Sequence, residues 1–316
     1  MPSYGFRGQI GFGEETAWGT PAATISKFME FKSESIKRAI AEIVSPGIRL
    51  TPNELKTQRM QGRTDISGDV VMDAYLLGQG LLWKHALGAV TTQPQGATAA
   101  YLHTFTCADD LPVGLTAEIE RDARAFKYSG LKVASLRIRQ GDDGALELAW
   151  EFRGKDELLA ASPATPTYPA DNKLIGVGLT VIFTIAGVEY HPSNFEVTLT
   201  NRLDENCYGF NKTRYALPFM GREVTGTVTI DFDDQTVYDM FVNGTPAALE
   251  LKYTGATIAD TYKEELTITL PVVLFNGETP NIGGKDRINL VLPFRAFADG
   301  TTKPIEVKLQ NTETAI

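Results

Sequence analysis

Three histidines, two cysteines and a few acidic clusters are the residues of this 316-residue chain that could do more than hold a fold together. Acyl transfer needs a nucleophile beside a histidine that a carboxylate orients, a constellation defined by geometry rather than chain order. His85, His103 and His191 are scattered, and no Ser or Asp is placed beside them in a recognisable pattern. The nucleophile-elbow, Walker and HExxH patterns are absent from the sequence. His85 falls near the end of a helical pattern, where it reads as a capping or surface residue. Cys107 and Cys207 lie outside any CxxC or Cys/His spacing, which predicts two free thiols and no zinc site. The glycines of "GQIGFG" (Gly8, Gly11, Gly13) precede any predicted strand and lead into no apolar helix, so a dinucleotide loop is discarded. Asp231, Asp233 and Asp234 lack the turn glycine and distal glutamate of a calcium loop. No catalytic residue, cofactor or metal ligand is expected, and the chain does not read as an enzyme.

Charge narrows the binding classes. Thirty basic against 39 acidic residues give a formal net charge of −9, the wrong sign for a phosphate-backbone binder. The basic run "RDARAFKYSGLKVASLRIR" (121–139) carries Phe126 and Tyr128 among its cations. On alternating strands such cations form a solvated face or pair with neighbouring acids, so single-strand binding is not the favoured reading. No run is apolar enough to span a bilayer and the start lacks a secretory core, so no membrane partner and a cytosolic site of synthesis are expected.

The elements that would position any site are mostly strands. "ALELAWEF" sets Leu146, Leu148, Trp150 and Phe152 on one face, with the period of two of a half-buried strand, and "RINLVLPF" repeats it with Ile288, Leu290, Leu292 and Phe294. "GDVVMDA" from Gly68 aligns with "GTVTIDF" from Gly226, and each follows a Gly-Arg pair. Each runs into a helical pattern, over 74–88 and 235–243, with Asp73 and Asp234 as N-cap candidates and Gly88 and Gly244 as C-terminal caps. Three further strands follow each helix, and a strand and a long polar segment, 41–61 or 201–220, precede it. An ordered series repeated in this way predicts internal duplication. The fold class is mainly β: two tandem sandwich or barrel domains, 25–159 and 173–300, each flanked by a short helix and joined by the Pro- and Ala-rich linker 160–172.

The ordered set "GFGEETAWGTPA", "FMEFKSESI", "GRTDISGDV", "LLWKHALGA" and "YLHTFTCADDLPVGLTAEIERD" resembles the tail tube proteins of long-tailed, siphovirus-type bacteriophages, most closely over the first half. The resemblance implies tail-tube-like β domains whose subunits close into rings and stack as a hollow conduit for DNA ejection. A duplicated chain is similar to the two-domain members, in which three copies make a pseudo-hexameric ring; the alternative is a ring of six. Implied partners are further copies of the chain, other tail proteins and the tape measure protein, with DNA passing the lumen unbound. Assembly in the bacterial host cytoplasm and residence in the virion tail follow. The long segments become loops that reach the adjacent ring, and residues 1–24 and 301–316 become arms ordered only against neighbours. Interface candidates are then Trp18 and Pro21 in the first arm, Arg49, Leu50, Leu55 and Arg59 in the first loop, and Arg202, Tyr208, Phe210 and Arg214 in the second. Trp18→Ala is expected to spare folding and impair polymerisation. The alternatives are a tube terminator or distal ring of the same fold, and a carbohydrate-binding sandwich with Trp18, Trp83 and Trp150 as stacking platforms.

Overall fold

The structure is a computed structural model that describes residues 3–160, 162–233, 235–282, 284–285 and 287–316. In the first half, β1 (Gln9–Glu14), β2 (Lys27–Met29), β3 (Ser33–Glu34), β4 (Lys37–Val44) and β5 (Arg59–Asp73) lead to helix α1 (Gly80–Leu87). β6 (Gly88–Pro94), β7 (Tyr101–Cys107), β8 (Leu115–Glu120), β9 (Ala125–Gly141), β10 (Glu147–Gly154) and β11 (Asp156–Leu159) follow. The second half holds β12 (Thr180–Ile185), β13 (Val188–Tyr190), β14 (Asn194–Leu203), β15 (Phe219–Asp231), helix α2 (Thr236–Asn243), β16 (Ala247–Ala259), β17 (Tyr262–Phe275), β18 (Asn289–Ala296) and β19 (Glu306–Asn311). The chain is mainly β, as its alternating patterns predict.

The strands pair antiparallel, and in the same order in both halves. The first half runs β4, β5, β10, β9, β8, β1, β2. The second runs β14, β15, β18, β17, β16, β12, β13. A late strand lies beside the early part of the fourth in each: β11 on β9 and β19 on β17. Registers agree too. Val70 faces Trp150 as Val228 faces Leu292, Val133 faces Phe152 as Phe275 faces Phe294, and Lys37 faces Ser67 as Thr198 faces Thr225. Two joints tie the halves together: β14 pairs along β9, and β19 pairs with β7, whose hairpin with β6 belongs to the first half alone.

β9 changes partners midway, lying with β8 and β11 over its early residues and with β10 and β14 later. The turning point is Gly130, at φ +67°, where a Cβ would come within 2.8 Å of the Lys155 side chain. Only glycine reaches that conformation without strain. One apolar core runs through both halves, and the inward alternation of β10 places Leu148, Trp150 and Phe152 in it. Trp150 meets Trp83 of α1 edge to face at 5.3 Å, a geometry worth about 1 kcal/mol beyond the area buried.

Several expectations need correcting. Helix α1 begins at Gly80, not residue 74, because Asp73 still pairs within β5 and Gln79 takes the N-cap position. Asp234 lies outside the described residues. Gly88 and Gly244 do end the helices with positive φ. The terminal segments are not arms that wait for neighbours: β1 is buried between β2 and β8, and β19 between β17 and β7. In β1, Gly11 and Gly13 are there for close approach, since a Cβ on Gly13 would sit 2.3 Å from the Thr24 carbonyl oxygen. Within the expected linker, residues 162–172 pack on the first half, where Gln9 Nε2 donates to Ala164 O at 2.8 Å and Tyr168 lies edge-on to Phe28.

Candidate assembly surfaces

The titratable residues serve the packing of strands. His85 is buried, not on the surface, and its Nε2 lies 3.0 Å from Glu14 Oε1. Burial pushes the imidazole below its ordinary pKa, while the His85 hydrogen bond, helped by Lys84, holds the Glu14 carboxyl at about 2. His103 is enclosed between Thr92 Oγ1 at 2.9 Å and Asn311 Oδ1 at 3.1 Å, which binds β6, β7 and β19 across the two halves. His191 lines a small cavity of about 170 Å³ with Phe183 and Phe195. Cys107 and Cys207 are free thiols, and burial raises the pKa of Cys107. Among the described residues no cluster of His, Cys, Asp and Glu is arranged to hold a metal, and no helix is long and apolar enough to cross a membrane. The basic run is paired as strands pair their charges: Arg121 binds Glu34 and Lys127 binds Glu118.

The N-terminal segment is fastened to its own chain. Glu15 is buried and accepts hydrogen bonds from Thr116 Oγ1, Gly130 N and Gly19 N at 2.8, 2.7 and 2.6 Å. Burial raises its pKa against those donors. Trp18 Nε1 donates to Gly130 O at 3.0 Å, and Lys155 Nζ sits 5.3 Å from the ring centroid. The indole also packs on the small cluster of Leu111, Ala134, Leu203 and Leu217. Trp18, itself half-buried, therefore closes the bend of β9 from within its own chain, and Pro21 is half-buried too. Trp83 and Trp150 are buried to within 1%, which leaves no tryptophan as a sugar platform.

The two long loops have opposite fates. Residues 204–218, between β14 and β15, fold back over the ends of β5 and β10 in the first half. Arg214, 3% exposed, donates to Glu205 O and Gly154 O at 2.8 Å each and pairs with Asp65; Tyr208 Oη donates to Thr64 O at 3.0 Å. Arg153 of β10 adds an ion pair to Glu205. Phe210 at the tip is fully exposed, and Arg202 is exposed beside Glu223 at 2.8 Å. Residues 45–58, between β4 and β5, pack on nothing comparable among the described residues. Every residue of β4 is exposed, as are Arg49 and Leu50; Leu55 is half-buried, and Arg59 pairs with Glu42 across the hairpin.

Sequence reasoning placed Arg49, Leu50, Leu55 and Arg59 together, and the structure keeps them on one protruding hairpin. It separates them from Trp18, Tyr208 and Arg214, which hold the chain to itself. It missed Ile40, Ile43, Val44 and Met60, which stand exposed on β4 and β5. The β-branched run "AIAEIV" was the available signal.

An antiparallel chain with a protruding apolar hairpin and polar residues spent on packing has the build of a subunit in a larger structure. A family model described as phage tail tube protein matches residues 5–296. The chain belongs to the phage tail tube protein family and is a structural component of a bacteriophage tail. Among curated proteins no match to the chain is found.

Proposed function

We propose that the chain is the repeating subunit of a siphovirus-type tail tube, built as two tandem domains, residues to about 159 and from about 173, joined by 160–172. Three copies close into a pseudo-hexameric ring, and rings stack into the conduit through which DNA is ejected. The observation that carries this reading is the identical order and register of strand pairing in the two halves. Two like units fused in one chain supply two of the six positions of such a ring. Cyclic closure also covers sheet edges that an isolated subunit would leave open. The acidic balance of the chain suits a lumen that DNA passes without adhering. The tape measure protein and other tail components are the remaining partners, met during assembly in the host cytoplasm. Electron microscopy of the purified protein tests the reading. Long tubes of stacked rings are expected, whereas discrete rings that never stack would assign it to a tube terminator or distal ring.

A further inference from the structure

The joint between the two halves is directional. The second half gives β14 and loop 204–218; the first half receives them along β9 and over the ends of β5 and β10. Matched registers identify the corresponding parts in the other half of each pair. Thr198 corresponds to Lys37, so β4 and loop 45–58 of the first half are the counterparts of the giving arm. The β9–β10 register shifts by one residue at Ala134, between the Val133–Phe152 and Ser135–Glu151 pairs, and β9 beyond that shift corresponds to the chain after β17, where Asn276 N donates to Pro293 O as Ser135 faces Glu151. Asp65, which receives Arg214, corresponds to Glu223.

Among the described residues neither counterpart has a strand partner like the one that joins β14 to β9, although Glu223 is already paired with Arg202 and Arg295. β4 pairs only with β5 among the described residues, and its whole length is exposed, with Ile40, Ile43 and Val44 on it and Ile48 and Leu50 just beyond. An exposed edge strand with apolar side chains is a template for another chain. The receiving side of the second half holds an open cleft of about 430 Å³ lined by Glu196, Glu223, Asn276, Pro293 and Arg295. Charges also correspond: Lys37 and Arg38 on the edge, Glu278 on the segment after β17. Arg121 occupies Ile36 O at 2.5 Å, so the open edge starts at Lys37.

Resting on the reading as a tube subunit, we infer that a second copy of this chain joins by repeating the internal joint. Lys37–Ala39 of one copy add to Asn276–Glu278 of the next, and loop 45–58 lies over the β15–β18 cleft, bringing Arg49 or Lys56 to Glu223. The contact is head to tail, which closes into a ring and does not stop at a dimer.

Because Thr200 faces Ser135 inside the chain, Ala39 faces Asn276 between chains. Both are exposed. Directly opposed antiparallel residues have Cα atoms about 4.5–5.5 Å apart, within the span of a disulfide. The test is oxidation of assembled full-length Ala39→Cys/Asn276→Cys protein in a Cys207→Ser background, read on non-reducing gels beside electron micrographs. Covalent dimers and trimers, absent from either single variant, are expected. Assemblies with no cross-link at this pair overturn the joint and leave the tube reading standing; parent protein that forms neither tubes nor rings overturns both. A cysteine-free arm reads the same contact. Lys37→Glu/Arg38→Glu should raise the concentration needed for assembly about tenfold, and adding Glu278→Lys should recover part of it. Unchanged assembly in the double-reversal variant would overturn the joint.

Discussion

Trp18 caps the bend at Gly130 through its indole nitrogen, packs beside Leu203 and Leu217, and carries Lys155 on its face. Truncation would leave a hole under that bend and free the Gly130 carbonyl. Trp18→Ala should therefore cost about 2 kcal/mol in urea unfolding, less than the ~3–5 of a fully enclosed aromatic. Unchanged stability with defective assembly would restore it to an inter-subunit role. Glu14 beside His85 gives a pH signature. Its folded pKa of about 2 lies below the ordinary 4.5, so its contribution is complete above 4.5 and disappears as the pH falls toward 2. His85 acts in the same direction, because burial lowers its pKa and the unfolded chain takes up the proton first. Glu15, raised by burial, opposes both. Glu14→Gln should lose about 1 kcal/mol at neutral pH, the modest worth of a half-exposed pair. Its deficit relative to the parent should shrink between pH 4.5 and 2, with Glu15 common to both proteins. A deficit that stays constant with pH would contradict the ion-pair account.

At the scale of elements, loop 204–218 is the most informative, because it behaves as an interface inside one chain. Arg214→Ala strands the Gly154 and Glu205 carbonyls and unpairs Asp65, at a cost of about 2–3 kcal/mol. Amide exchange within 204–218 should quicken about tenfold or more while β9 and β10 stay protected. Uniform acceleration throughout the chain would mean that the loop is not a separable unit. Such elements were unevenly legible from the sequence. β5, β10, β15 and β18 announce themselves because one face is core and the other solvent, a local pattern that needs no knowledge of partners. The helix ends were legible through Gly88 and Gly244, whose positive φ is a local demand. β1 was hidden by Gly11 and Gly13, which remove side chains where Ile25 and Thr24 approach. β4 was hidden because its exposed edge has no buried face to give it alternation. The docking of β14 on β9 joins residues more than 50 positions apart, and no local pattern encodes it.

At the scale of the molecule, the two halves share a pairing order but differ at their open ends, one presenting a hairpin and the other a cleft. In the proposed assembly, that polarity is what has identical chains add in one direction and close. A chain that paired through a single self-complementary patch would stop as a two-fold dimer. The family membership makes the chain a tail tube protein; the repeated pairing order and the open ends argue for three chains in each ring. The symmetry of assembled tubes by electron cryo-microscopy tests this most directly. Rings of three chains, six like domains around the lumen and β4 against the segment after β17 at each junction are the predicted result. Rings of six chains, with only one half of each facing the lumen, would contradict it.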